Sequence, residues 1–217
     1  VSAMRPGRIV VLNGAPRSGK SSIVKALQAR EDGIWINLGV DTHMAGMLPP
    51  RLSPGIGLRP GGERPDLEPL LPRLYDALYE SIAAHSRLGL DVVADLGHHD
   101  AHSQPLGILA DCAQRLGGLP ALLVGVHCPV DVIMARREIA VPGRETLYAR
   151  GSATIPVPEP VKRWQSDVHA HGIYDLELDT SVLTPEQSAA AILAHFERGL
   201  SHPTAFEQLA NRPPAAP

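Results

Sequence analysis

Cysteine is almost missing from this 217-residue sequence, with Cys112 and Cys128 the two present. Two distant thiols make neither a disulfide framework nor a zinc site, and they read as buried small hydrophobes of a reducing compartment. No apolar run approaches the roughly 18 residues of a membrane span, and the first residues lack a signal peptide's apolar segment, so a cytoplasmic protein without a membrane partner is expected. Excess charge is also lacking. A formal net charge of −3 argues against nucleic acid or an anionic membrane as the main partner. No internal repeat occurs, and no N/T-K-x-D element is present to read a guanine base.

What is there is organised around Gly14-Ala15-Pro16-Arg17-Ser18-Gly19-Lys20-Ser21. The spacing is G-x-x-x-x-G-K-S, preceded by the apolar run Ile9-Val10-Val11-Leu12 and followed by the helical pattern opening at Ser21-Ser22. A strand, a glycine-flanked loop and a helix N-terminus in that order make an anion nest. Residues 14 to 22 are therefore the expected phosphate cradle of ATP. Lys20 would reach the β- and γ-phosphates, and the Ser21 hydroxyl would be a Mg²⁺ ligand.

The remaining elements alternate. Strands are expected at 8–13, 34–38, 90–95, 122–127 and 174–179, and helices at 19–30, 66–88, 104–117, 130–140, 159–170 and 185–198. The fold class that follows is α/β, a three-layer sandwich with a five-stranded parallel sheet of the P-loop kinase type. Proline and glycine crowd 49–72 and 142–160. Residues 47–63 read as a long loop, functional or mobile, and residues 137–160 read as a lid hinged at both ends. Thr184 and Gln187 resemble a capping box. One domain, residues 1–198, is expected, with 199–217 as a loosely ordered tail.

A small kinase needs an acid near the metal, a base for the acceptor hydroxyl and positive charge over the migrating group. Asp95 closes an apolar strand where such enzymes place a metal-side acid. Asp41, just past the second strand, is the candidate base, with a helix N-cap as its alternative role. Arg136, Arg137 and Arg144 are placed to close over phosphate oxygens or a purine ring. His98, His99, Asp100 and His102 match no familiar zinc spacing and suit a loop lining the acceptor pocket. His169 and His171 suit polar groups of a turn, with pocket residues as the alternative.

Asn13-Gly14 through Ser21-Ser22, Gly39-Val40-Asp41-Thr42, Cys128, Arg137-Glu138 with Arg144, and His169 before Tyr174-Asp175-Leu176-Glu177-Leu178-Asp179-Thr180 together resemble the chloramphenicol phosphotransferase family. The resemblance spans roughly residues 8–198. It implies ATP-dependent phosphorylation of a hydroxyl on an antibiotic, giving resistance, with Asp41 as base, Lys20 on the phosphates and Arg137 and Arg144 in the lid. Where that family tends to carry R-G-D-R in its lid, this chain has Ala140-Val141-Pro142-Gly143-Arg144 and a longer Pro-rich flap. The segment 44–72 is also its own, so the acceptor pocket differs. A toxin-like sugar-nucleotide kinase and a nucleotide-binding regulatory module are the alternatives.

Overall fold

The computed structural model describes residues 5–44, 47–52, 55–58, 62, 64–139 and 150–211. Strands β1 (Ile9–Asn13), β2 (Trp35–Asn37), β3 (Asp91–Leu96), β4 (Ala121–His127) and β5 (Leu176–Asp179) form a single sheet in the order β2-β3-β1-β4-β5. Every neighbouring pair is parallel. β1 lies in the middle and all five of its residues are buried, as a strand covered on both faces must be. The expected α/β fold with a five-stranded parallel sheet is the one observed.

Helices cover both faces. On one face α1 (Lys20–Gln28) and α7 (Pro185–Glu197) pack on Val10, Leu12, Val124 and Val126. On the other, α3 (Leu71–Arg87) and α4 (Ile108–Arg115) pack on Ile9, Val11, Val92 and Leu123. Leu71, Tyr75, Leu78, Tyr79 and Ile82 form the buried stripe of α3 at helical spacing. That helix starts later than Asp66 because Pro69 sits in a preceding 3-10 turn and Pro72 occupies the first α-helical turn. α4 starts at Ile108, after Gly107 at φ +63 breaks the chain out of Pro105-Leu106. Between β2 and α3 lie the short helix α2 (Val40–Met44) and, in the long Pro/Gly loop, 3-10 turns at Pro50–Leu52 and Gly55–Gly57. α5 (Val130–Glu138) and α6 (Glu159–Asp167) flank the expected lid, of which residues 140–149 lie outside the described residues. No helix among the described residues is long and apolar enough to cross a membrane.

The C-terminal segment corrects the expectation of a loose tail. Residues 205–210 form α8 (Ala205–Ala210), opened by a full capping box between Thr204 and Glu207. Ala205, Phe206 and Leu209 are buried in the α3/α4 core, and Phe206 meets Tyr79 edge-on at 6.5 Å. Asp175 ties the helix down: one carboxylate oxygen accepts from Ala205 N at 2.7 Å and the other from Leu123 N at 2.8 Å. A six-residue helix is too short to show periodicity in sequence, so its burial was not legible there. The last part of the expected tail, 212–217, lies outside the described residues.

If α8 is part of the core, Phe206→Ala should cost about 3 kcal/mol in urea unfolding, the usual range for a buried aromatic. A cost within about 0.5 kcal/mol, typical of surface positions, would return the segment to a loose tail.

Candidate active site

The phosphate-binding loop leaves β1 at the carboxyl edge of the sheet and enters α1 at Lys20. Gly14 is required by space, since a Cβ there would lie 2.5 Å from Val126 O. Gly19 is required by conformation, at φ +101. Arg17 is left-handed too, at φ +71, a costly shape for a residue with a Cβ. Lys20 Nζ curls over the loop and donates to Gly14 O at 2.7 Å and Ala15 O at 3.0 Å. Burial pulls its ammonium down from the ordinary 10.5 to about 8, partly offset by the nearby carboxylates of Asp95 and then Asp41. A phosphate anion supplies what this desolvated cation lacks.

Ser21 donates its hydroxyl to Asp95 Oδ2 at 2.7 Å. The serine opens α1 and the aspartate is the fifth residue of β3, so the sheet's parallel order brings residues 74 apart in sequence into contact. Gly39 makes the room: a Cβ there would fall on Asp95 Oδ1. A hydroxyl and a carboxylate side by side are hard oxygen donors of the kind Mg²⁺ takes while keeping waters and phosphate oxygens. The expected roles of Ser21 and Asp95 thus fall on two side chains that meet.

Asp41 is exposed in the first turn of α2, which begins at Val40, so it stands inside the helix rather than at its cap. Its charge acts on Lys20 as that of Asp95 does. The four residues Lys20, Ser21, Asp95 and Asp41 therefore belong to one electrostatic neighbourhood. A cleft of about 640 Å³ opens beside the loop, lined by Gly19, Lys20, Ser21, Ser22, Arg17 and Arg136 among others. Arg136 is half-buried there with its guanidinium bonded to the framework: NH2 to Thr180 O at 2.7 Å, and NH1 to Thr180 Oγ1 at 3.1 Å and Arg17 O at 3.2 Å. Arg137, expected in the lid, is buried on α5 at 6% exposure. Arg144 lies outside the described residues.

The histidines after β3 form a wall. His98 is buried with Nε2 2.9 Å from Tyr79 Oη, and burial drives it down to about 3, so it is neutral near pH 7. His99 Nε2 lies 3.0 Å from Leu58 O, which can only accept, so Nε2 carries the proton while Nδ1 accepts from Ala101 N at 3.2 Å. Both ring nitrogens are thereby committed. The ring stacks obliquely on His102 at 4.6 Å and meets Trp164 edge-on at 6.1 Å. Glu68, buried, holds the same loop by accepting from Ser103 N and Oγ.

Asn13, at the end of β1, is a site residue that residue chemistry alone did not single out. Its Nδ2 donates to Val168 O at 2.8 Å and Tyr174 Oη at 3.0 Å, and its Oδ1 accepts from His98 N at 2.7 Å. It stitches the loop after β3 to the turn before β5. The signal was a polar residue closing a wholly apolar strand, which must find partners when buried. His169 and His171 are turn groups as expected: His169 Nδ1 lies 2.7 Å from Tyr174 Oη and His171 Nε2 lies 3.2 Å from Asn13 Nδ2.

The depressed Lys20 has a pH signature. Between about pH 8 and 10.5 the unfolded chain binds more of the Lys20 proton than the folded chain, so the apo protein gains stability as pH rises through this window. Below pH 8 the full cost of the buried charge applies. Lys20→Met lacks the term, so the stability of wild type relative to this variant should rise between pH 7 and 9.5 in matched denaturant titrations. Parallel pH profiles would refute the desolvated ammonium.

Comparison with known proteins agrees with this geometry. The model of the chloramphenicol phosphotransferase-like protein family matches residues 7–197. A Mycobacterium tuberculosis protein named "Putative O-phosphotransferase" is 28% identical, covering 98% of this chain and 92% of that protein, in each of two strains. Among solved structures, a sugar kinase from Janibacter superposes with a TM-score of 0.57 at 18% identity, covering 95% of this chain and 100% of the other. The Deinococcus radiodurans tunicamycin resistance protein does so at 0.55 and 14%, covering 90% and 97%. The M. tuberculosis APS kinase CysC gives 0.54 and 14%, covering 88% and 98%. These distant structures share the fold. With the family model matching residues 7–197 and the P-loop machinery assembled at the sheet's edge, the chain belongs to the chloramphenicol phosphotransferase-like family and is a kinase.

Proposed function

We propose that the enzyme transfers the γ-phosphoryl group of ATP to a hydroxyl of an antibiotic or similar small molecule in the cytoplasm, so conferring resistance. The observation that carries this reading is the Ser21–Asp95 pair beside Lys20, with Asp41 as a second carboxylate acting on the same lysine. A nucleotide-binding module needs the first three; the additional acid on the acceptor side is what transfer to an alcohol requires.

In this reading the loop amides of residues 14–22 and Lys20 hold the phosphates. Ser21 and Asp95 would hold Mg²⁺, which would supply positive charge against the phosphate oxygens. Asp41 accepts the proton as the acceptor oxygen bonds to the γ-phosphorus and the bond to the ADP oxygen breaks. Arg136 borders the nucleotide, and Arg137 and Arg144 act from α5 and the lid as positive charge over the migrating group. His99, His102 and Trp164 form a ring-lined wall for the acceptor, with no imidazole nitrogen of His99 left to act as a base. The antibiotic class is supported by the family description and by the resistance protein among the structural neighbours.

Asp41→Asn decides the base assignment. It should lower single-turnover transfer by about 10²- to 10⁴-fold while ATP affinity changes little, because the phosphates are held by the loop. The assay is acceptor-dependent ADP release across a panel of hydroxyl-bearing antibiotics, with the phosphorylated product identified by mass. ATP binding with no acceptor-dependent release on any panel member would favour the regulatory module, and transfer surviving within a few-fold would remove Asp41 as base.

A further inference from the structure

The phosphate-binding loop is also held from outside, through the backbone carbonyls of residues 17 and 18. Thr180, the residue after β5, donates its hydroxyl to Ser18 O at 2.6 Å. The same oxygen accepts from Arg136 NH1 at 3.1 Å, and Arg136 NH2 donates to Thr180 O at 2.7 Å. Arg136 NH1 also lies 3.2 Å from Arg17 O and 3.3 Å from Cys128 Sγ. Arg17 returns the contact, its NH2 donating to Ile139 O at the end of α5 at 3.2 Å. Thr180 N donates to His127 O at 3.0 Å, which anchors the whole set to β4. A Cβ on Gly19 would lie 3.3 to 3.4 Å from the Thr180 side chain, so the loop and this residue are in close register.

A trans peptide plane points its carbonyl and its N–H to opposite sides. Ser18 O and Gly19 N–H share one plane, so drawing the oxygen to Thr180 turns the N–H away from β5. This happens next to an unfavourable conformation, Arg17 at φ +71, and at Gly19, whose φ of +101 glycine alone adopts readily. Left-handed backbone at a residue with a Cβ persists only when its surroundings over-determine it. Thr180 and Arg136 are those surroundings, one bonding the carbonyl of residue 18 and the other that of residue 17.

We infer that Thr180 and Arg136 are positioning residues: a latch between β5, α5 and the phosphate-binding loop that holds the loop in its anion-receiving shape before nucleotide arrives. The latch sets nucleotide affinity through loop geometry. Through Arg17 and Ile139 it also ties that geometry to the end of α5. The inference rests on the nucleotide-binding reading of the loop, and its test has one arm that does not.

Thr180→Val keeps the side-chain shape and removes the hydroxyl; Thr180→Ser keeps the hydroxyl and removes the methyl. In calorimetric titration of the full chain with ATP and Mg²⁺, Thr180→Val should bind about tenfold more weakly, the scale of leaving one buried carbonyl unpaired, and Thr180→Ser should bind within about twofold of wild type. In the apo protein, hydrogen exchange at amides 17–20 should speed up in Thr180→Val and not in Thr180→Ser. Thr180→Val combined with Arg136→Lys should lose less affinity than the two separate losses added, because both act on one network. Unchanged exchange in Thr180→Val, or Thr180→Ser as defective as Thr180→Val, would overturn the latch. Wild type failing to bind ATP would sink the nucleotide reading instead, while the exchange arm still decides whether the latch exists.

Discussion

A loop that offers its amides to an anion must turn its carbonyls elsewhere, and the structure around the site is shaped by where those carbonyls go. Gly14 O and Ala15 O are capped by Lys20, Ser18 O by Thr180 and Arg17 O by Arg136. Each partner comes from a different element, α1, the end of β5 and α5. The loop's shape is therefore a tertiary property, although its sequence is local. Left-handed Arg17 measures this dependence, since nothing in residues 14–21 alone favours that conformation at a non-glycine residue.

The parallel sheet supplies the frame for these contacts. With β1 central and buried on both faces, every strand ends at the same edge, and Asn13, Asp95 and Thr180 emerge there beside the loop. Ligand sites of open α/β sheets gather at this edge because crossover connections leave it lined with loops and helix N-termini. The opposite end is closed by other means: Asp175 fastens α8 to β4, and Phe206 fills the core under Tyr79.

Charge is distributed unevenly over the site. Lys20 is desolvated and depressed toward neutrality until an anion arrives, with Asp95 and Asp41 favouring its charged form. The histidines after β3 and before β5 are likewise pushed toward their neutral form by burial. His98 and His99 are held neutral by burial and have ring nitrogens engaged by Tyr79, Leu58 and Ala101. His169 is pushed down to about 4 by burial and by His127, His171 and Lys20, and stacks on His127 at 4.0 Å. These neutral imidazoles are packing and hydrogen-bonding groups of the walls around the loop.

By itself the sequence determined the fold class, the phosphate-binding loop and the acids at 41 and 95, because each is written in local spacing: a continuous apolar run for a buried strand, glycines for a nest, an acid just past a strand. It also contained Asn13, Gly39 and Thr180 without revealing their work. What Asn13 bonds, why Gly39 must lack a side chain and what Thr180 holds are settled by residues 44 to 162 positions away, across strand pairs that no local pattern specifies. The same holds for α8, whose six residues look like a tail until Asp175 and the α3/α4 core supply partners. Local spacing encodes which groups a site contains; only the packed sheet decides which of them meet, since burial forces each polar group to find a partner wherever the chain's return brings one.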